Sequence, residues 1–403
     1  CMSPVQDELI VTVNAGSSSI KTGLFSGRRG EDQPRLLARG KLDGIGVAPR
    51  LQVVMADGTI MQDTSFEPEQ IANMQAAFQQ IYRVLEEGLQ DRPPVLIGHR
   101  VVHGGMDFSA PVRVDHTTLA RLKTLEPLAP LHQPHNLAAI HAALEHDPQL
   151  PQIACFDTAF HAGRNEISQL FGLPYALYEQ GVRRYGFHGL SFEYVSQRLI
   201  DKTPELATGK LVIAHLGNGS SLCAIEAGRS IEMTTGFSAL DGLPMGSRCG
   251  AVDPGVLLYL LGQGISVDEL EKLLYRQSGL LGISGVSSDM RKLRASNEPR
   301  AALAIDYYAY RIAQEVGRLA TCLGGLDALV FTAGIGEKDA ELRAQVLQHL
   351  APLFGLQLDD TANRRNAELI SGTSSTRSVW VIPTDEESII ARHSWHLYQE
   401  QHP

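Results

Sequence analysis

The chain has 403 residues, enough for two ordinary domains that each bury an apolar core. Apolar side chains make up 43% and charged ones 20%, which excludes a disordered or fibrous protein. The net charge is -10, and no basic run exceeds a pair such as Arg28 and Arg29 or Arg183 and Arg184, so nucleic acid and anionic membranes are excluded as partners.

Apolar stretches such as Val256–Leu261 fall far short of the roughly 18 residues of a membrane span, and no signal peptide opens the chain. The five cysteines (Cys1, Cys155, Cys223, Cys249, Cys322) are odd in number, scattered and never in a C-x-x-C pair. They read as reduced thiols of a cytoplasmic protein. Cys1 precedes Met2 and reads as an addition to the natural start, so it carries no functional reading.

In chain order, the first element is a strand, a Gly/Ser turn and a second strand over Ile10–Phe25 (IVTVNAGSSSIKTGLF). Helical spacing follows over Glu69–Leu89, then a short Pro-rich stretch, Asp91–Pro94. The segment Glu126–Pro134 (EPLAPLHQP) reads as an active-site loop rather than a linker. After a helical pattern at Ser191–Ile200, Val212–Glu226 (VIAHLGNGSSLCAIE) repeats the strand, turn and strand. Ser18 and Ser220 hold matching places about 202 residues apart, close to half the chain, so the halves read as related domains with a ligand cleft between them. Further helices are expected at Arg300–Leu323 and Asp339–Leu350, and the alternation of strands with helices indicates an α/β protein.

Four turns have the form of phosphate cradles: Asn14–Ser19, Gly98–Gly105, Gly217–Ser221 and Gly334–Glu337. Glycine lets backbone N–H groups approach an anion, and small hydroxyls add donors. One such turn alone is usually only a turn, whereas four, two of them repeat-related, indicate a nucleotide. The chain holds no G-x-x-x-x-G-K-[ST], no complete G-x-G-x-x-G and no protein-kinase signature set. That leaves the duplicated actin, sugar-kinase and heat-shock-protein-70-like architecture.

Ten strings then carry a close resemblance to the acetate kinase family: VNAGSSSIK (13–21), GHRVVHGG (98–105), APLHQPHN (129–136), FDTAFH (156–161), RRYGFHG (183–189), HLGNGSS (215–221), GLPMGSRCG (242–250), SSDMR (287–291), FTAGIGE (331–337) and IPTDEE (382–387). The resemblance implies that Arg100, Arg248, His188, Asp157 and His132 are catalytic, and that Asn14 and Glu386 are linked to Mg2+. It implies ATP contacts at Lys21, at His215, Leu216, Gly217, Asn218 and Gly219, at Asp289, Met290 and Arg291, and at Gly334, Ile335, Gly336 and Glu337. Arg100 together with Val102, Leu131, Phe187 and Ala239 would form the substrate pocket, Ala239 standing where the family carries Pro. A homodimer and the substrates ATP/ADP and acetate/acetyl phosphate are implied as well.

The same residues suit phosphoryl transfer on physical grounds. Charge spreads over three equatorial oxygens in the transition state, and arginine offers permanent charge with two-pronged donors. A carboxylate acceptor, with a pKa near ~4 to 5, is already ionised at neutral pH, so no general base is needed. Asp157 is therefore expected to orient an arginine or the water shell of magnesium. His99, His103, His135 and His161 read as core or loop histidines, and Thr384 with Glu387 has capping-box spacing. Asp385 replaces the family's usual Asn and adds negative charge near the expected metal.

The expected domains are residues 1–155 with 386–403, and 156–385, the second carrying the adenosine-side site and the dimer interface. The expected reaction is reversible, Mg-dependent, in-line transfer from ATP to acetate. A short-chain sister enzyme preferring propionate is the nearest alternative. An actin-like or chaperone-like ATP switch is the alternative from another class, and it would need no paired arginines.

Overall fold

A computed structural model describes residues 7–89 and 92–402, and the readings placed on Cys1 and on Asp91 lie outside them. The chain divides into two compact units, Cys1–Ala159 with Asp385–Pro403, and Phe160–Thr384.

The first unit is built on strands β1 (Glu8–Ala15), β2 (Ser19–Gly27), β3 (Arg35–Asp43), β4 (Arg50–Met55), β5 (Ile60–Ser65), β6 (Leu96–Val101), β7 (Val112–Arg113) and β8 (Gln152–Phe156). They form one sheet in the order β5-β4-β3-β2-β1-β6-β8-β7, with β1 antiparallel to β2 and parallel to β6. The centre is covered on both faces, which is why β1 reads as an almost unbroken buried run. Val11, Val13 and Ile97 pack with Phe78, Ile81, Ala139 and Ala143 of the helices Met74–Leu89 and Gln133–His146. Alternate residues Ile10 and Leu96 meet Ala391 and Trp395 of the helix Glu386–Gln401.

Two sequence readings change here. The first helix starts at Met74, not Glu69, because the Asn73 carboxamide accepts from the Ala76 N–H at 2.9 Å and caps it there. Gly98 lies inside β6 and belongs to no phosphate turn. A Cβ on it would stand 2.8 Å from Ile390 Cγ2, so this glycine admits the C-terminal helix onto the sheet.

The second unit holds β9 (Lys210–Leu216), β10 (Ser220–Glu226), β11 (Arg229–Met233), β12 (Ala328–Thr332) and β13 (Ser378–Val381), in the order β11-β10-β9-β12-β13. Here again a hairpin is followed by a strand parallel to its first member. The helix Pro299–Leu323 buries Ala301, Ala304, Ile305, Tyr308 and Ile312 at helical spacing against Val212, Ala214, Leu222 and Ala224. Gly324, in a left-handed conformation with φ 67°, stops it. The opposite face, with Leu211, Ile213 and Cys223, packs on Phe192, Val195 and Leu199 of the helix Gly189–Lys202.

His99, 1% exposed in β6, bonds through Nε2 to the Gln152 carboxamide at 2.5 Å, and burial holds it neutral down to about 4. An unfolded histidine titrates near ~6.5, so between these values the unfolded chain binds the extra proton. Stability is complete above the higher value and falls by about 3 kcal/mol as pH drops through the window. In urea titrations at several pH values, His99→Phe should flatten that fall by about one proton, and parallel pH slopes would refute the assignment.

Candidate active site

In the first unit, β1, β6, β8 and the C-terminal helix bring four predicted residues together. Asn14 and Arg100 stand near the ends of β1 and β6, Asp157 follows β8, and Glu386 opens the helix. Asp157, 1% exposed, takes Arg100 Nε at 3.1 Å and Nη2 at 2.6 Å. Arg100 Nη1 donates to the Asn14 amide oxygen at 3.2 Å, and Asn14 Nδ2 donates to Glu386 at 3.2 Å. Burial alone would lower the Arg100 pKa, but Asp157 and Glu386 outweigh it and hold the guanidinium firmly charged. Of five N–H donors, the pairing leaves some on Nη1 and Nη2 for a ligand.

The backbone beside Arg100 is pinned by two buried carboxamides that the sequence reading passed over. Gln133 brackets the peptide groups of His103 with two bonds of 3.0 Å, and Asn136 joins the Val102 N–H at 3.0 Å to the Ala15 carbonyl at 2.7 Å. Their spacing of three on a helix, straight after His132, was the available signal. Val102 is buried, Leu131 and His132 are half-buried, and Lys21 is exposed on β2 opposite Asn14.

At the start of the C-terminal helix, Asp385 is the cap. It accepts from the Ser388 N–H at 3.2 Å and hydroxyl at 2.7 Å, and pairs with Arg39 at 2.5 Å. The capping box expected from Thr384 and Glu387 is therefore not formed, because the nearer carboxylate captures the first-turn donor. Arg39 also balances the charge that Asp385 adds. Glu387 is held above the usual carboxylate range, by burial first and by Glu386 second.

In the second unit, His188 caps the helix Gly189–Lys202 in a left-handed conformation, φ 55°. Such a conformation costs a non-glycine residue about 1–3 kcal/mol and marks a constrained site. Its Nδ1 meets Ser221 Oγ at 2.7 Å, and its ring stacks on His215, centroids 4.2 Å apart. His215 is tied through Nδ1 to Ser191 at 2.8 Å. Gly219, in the β9–β10 turn, faces both His188 Nε2 and Arg248 Nη2: a Cβ there would lie 3.5 and 3.8 Å from them.

Arg248 differs from Arg100 in kind. Its Nη1 donates to the Ala239 carbonyl at 2.9 Å, and no carboxylate among the described residues offsets its charge. Burial accordingly pushes its pKa down. A half-buried guanidinium without a carboxylate to offset it, beside an imidazole and a glycine turn, has the chemistry to receive an anion.

A cavity of about 840 Å³ in the same unit is lined by Gly217, Asn218, Asp289, Met290, Arg291, Gly334 and Ile335, all predicted for the nucleotide. Ser288, Arg294, Lys338, Asp339, Ala340 and Glu341 also line it and were missed, although they sit in or beside the matched strings. Gly334–Glu337 is not a loop but part of the short helix Ala333–Lys338, entered through Ala333 at φ 66°. The Leu216 side chain is fully buried in the core, so only its backbone can face a ligand. Glu337 accepts from the Thr384 N–H at 3.2 Å, and Gly336 is held by Arg343 at 2.8 Å. Phe187 is buried and Ala239 half-buried.

No group of three or more His, Cys, Asp and Glu that could hold a metal occurs among the described residues. The Glu386 carboxylate and the second lone pair of the Asn14 oxygen suit a hard cation that keeps water and takes substrate oxygens, which is the habit of Mg2+.

Comparison with known proteins places the chain in a family. The Acetokinase family model matches residues 9–392. An acetate kinase of Nitrobacter hamburgensis is 50% identical over 389 residues, 96% of each chain. One of Rhodopseudomonas palustris is 49% identical, covering 97% of this chain and 98% of its own. Among solved structures, Porphyromonas gingivalis acetate kinase matches with a TM-score of 0.83 and 34% identity over 97% of this chain and 100% of that one. A propionate kinase from Francisella tularensis matches at 0.86, also 34% identical, over 96% and 98%.

Proposed function

The chain belongs to the Acetokinase family, and from that premise we propose that it transfers the γ-phosphoryl group of ATP reversibly to acetate, giving acetyl phosphate and ADP. The observation that carries this reading is Arg248, a guanidinium lacking a carboxylate and standing beside His188 and Gly219. We read the two units as duplicated domains, since each pairs a hairpin with a strand parallel to its first member.

Acetate arrives ionised, so the protein removes no proton. Arg100, held rigid by Asp157 and Asn14, orients the acceptor carboxylate. Arg248 and His188 stabilise charge on the transferring phosphoryl group, and His132 adds a further donor. The turn at Gly217–Gly219 and the cavity around Asp289–Arg291 hold the nucleotide. Mg2+, held by Glu386 with Asn14, would neutralise charge on the nucleotide phosphates. Transfer is direct and in line, since positioning and electrostatics suffice.

Hydroxylamine trapping of an acyl phosphate from ATP and acetate tests the reaction, and its absence with active nucleotide binding would overturn it. Ala239, in place of the family's Pro, bears on substrate size. A propionate methylene would gain about 0.8 kcal/mol on burial but shift the carboxylate. We expect acetate to lead propionate by about tenfold in kcat/KM, about 1.4 kcal/mol. Ala239→Pro should widen the gap and Val102→Ala narrow or reverse it. Propionate outpacing acetate in the unaltered enzyme would make the chain a propionate kinase.

We also infer a homodimer. The helix Pro254–Gly262 exposes Leu258 at 70% and Tyr259 at 64%, an apolar face that a second copy would cover. Sedimentation at micromolar concentration should give twice the chain mass, and a monomer would refute it. No helix among the described residues is long and apolar enough to cross a membrane, and no disulfide joins Cys155, Cys223, Cys249 and Cys322. Both fit the cytoplasm, where ATP is supplied.

A further inference from the structure

Behind His188 lies a buried polar chain that no step of the reaction uses. His161 is 1% exposed, and its Nε2 stands 2.9 Å from the Phe187 carbonyl oxygen. A carbonyl only accepts, so Nε2 carries the proton and donates it. Nδ1 is then the acceptor of a neutral ring and takes the Ser230 hydroxyl at 2.7 Å. The Cys223 thiol lies 3.4 Å from Ser230 Oγ and 3.6 Å from the Ala224 carbonyl oxygen. The donors point one way, from Ser230 through His161 to the backbone of Phe187. Burial, with the charge of Arg164 second, holds the ring neutral down to about 3.

Arg164 grips the same segment from the other side. Its side chain is 0% exposed, and it donates to the carbonyls of Arg184 at 2.6 Å, Tyr185 at 3.0 Å and His161 at 3.1 Å, with Glu232 balancing its charge at 3.2 Å. The Phe187 N–H donates to Thr235 at 3.2 Å. Both sides of the Phe187 residue are thus bonded before the chain turns into the left-handed conformation of His188. Gly186, at φ 87°, has no room for a side chain, since a Cβ would stand 2.9 Å from the His161 ring. A strained conformation persists only where its surroundings over-determine it, and here the surroundings are these bonds.

We propose that His161, bonded to the Phe187 carbonyl, and Arg164, bonded to the carbonyls of Arg184 and Tyr185, are positioning residues that hold the segment leading into His188 and thereby fix its imidazole for phosphoryl transfer. The proposal rests on His188 acting in the reaction stated above. Neither residue touches a reacting group, so their loss should act on kcat rather than on nucleotide binding.

The test is His161→Phe against His161→Gln, the amide keeping one donor and one acceptor. His161→Phe should lower kcat by about tenfold to a hundredfold while KM for ATP stays within about twofold. His161→Gln should recover most of the loss. The imidazole resonances of His188, read by NMR on the ligand-free protein, should shift in the Phe variant and return in the Gln variant. Should His161→Phe not fold, Ser230→Ala, which removes only the donor to Nδ1, is read the same way and should lower kcat by about threefold. Unmoved His188 resonances with unchanged kcat would overturn the proposal, as would a Gln variant no better than Phe. If the unaltered protein forms no acyl phosphate, the reaction assigned above fails, and the resonances still decide whether His161 positions His188.

Discussion

Replacing Arg100 by Ala is expected to lower kcat for acetyl phosphate formation by about a thousandfold, since a positioned donor aimed at developing charge contributes about 3–4 kcal/mol. KM for ATP should change far less. The structure adds a second consequence, because Asp157, a carboxylate 1% exposed and bonded to Arg100 at 2.6 Å, would lose the guanidinium that offsets its charge. Breaking one side of such a pair costs about 3–5 kcal/mol. The melting temperature of Arg100→Ala should therefore fall together with its activity. Adding Asp157→Asn should restore much of the stability and none of the turnover. Steady-state kinetics and thermal melts on the single and double variants decide it. Turnover within about tenfold of the unaltered enzyme in Arg100→Ala would show that this guanidinium does not work on the transition state.

Arg248→Leu should separate what Arg100→Ala joins. It should lose about a thousandfold in kcat on the same electrostatic ground. Its stability, however, should be unchanged or higher, because Arg248 has no carboxylate to abandon and its charge is already disfavoured by burial. A functional group that destabilises its own fold is a common trade at active sites. Added guanidine should restore part of the activity by refilling the vacated position. A melting temperature that drops as far as that of Arg100→Ala, with normal turnover, would make Arg248 a structural residue.

Much of the site was readable because its chemistry is local. Asn14, Arg100, Asp157, His188, Arg248 and Glu386 stand in short strings whose glycines and charged residues are adjacent in the chain. The roles of neighbours were harder. Asp385 looked like extra charge near a metal until Arg39, 346 positions away, was found bonded to it. Gln133 and Asn136 received no role of their own from the sequence, and only their contacts with His103, Val102 and Ala15 give them one.

The two strand–turn–strand repeats, the α/β alternation and the residue types of the candidate site could be read along the chain. Each of these depends on hydrophobic period, turn chemistry or charge within a few positions. Which arginine meets a carboxylate and which does not, why Gly98 is a glycine, and what holds His188 in its strained conformation emerge from the folded chain alone. Those outcomes rest on contacts between distant segments, such as Asn14 with Glu386 across 372 positions or Arg100 with Asp157 across 57. A pKa, a helix seat or a strained peptide is set by whatever stands within a few ångströms in space, and distance along the chain carries no record of that.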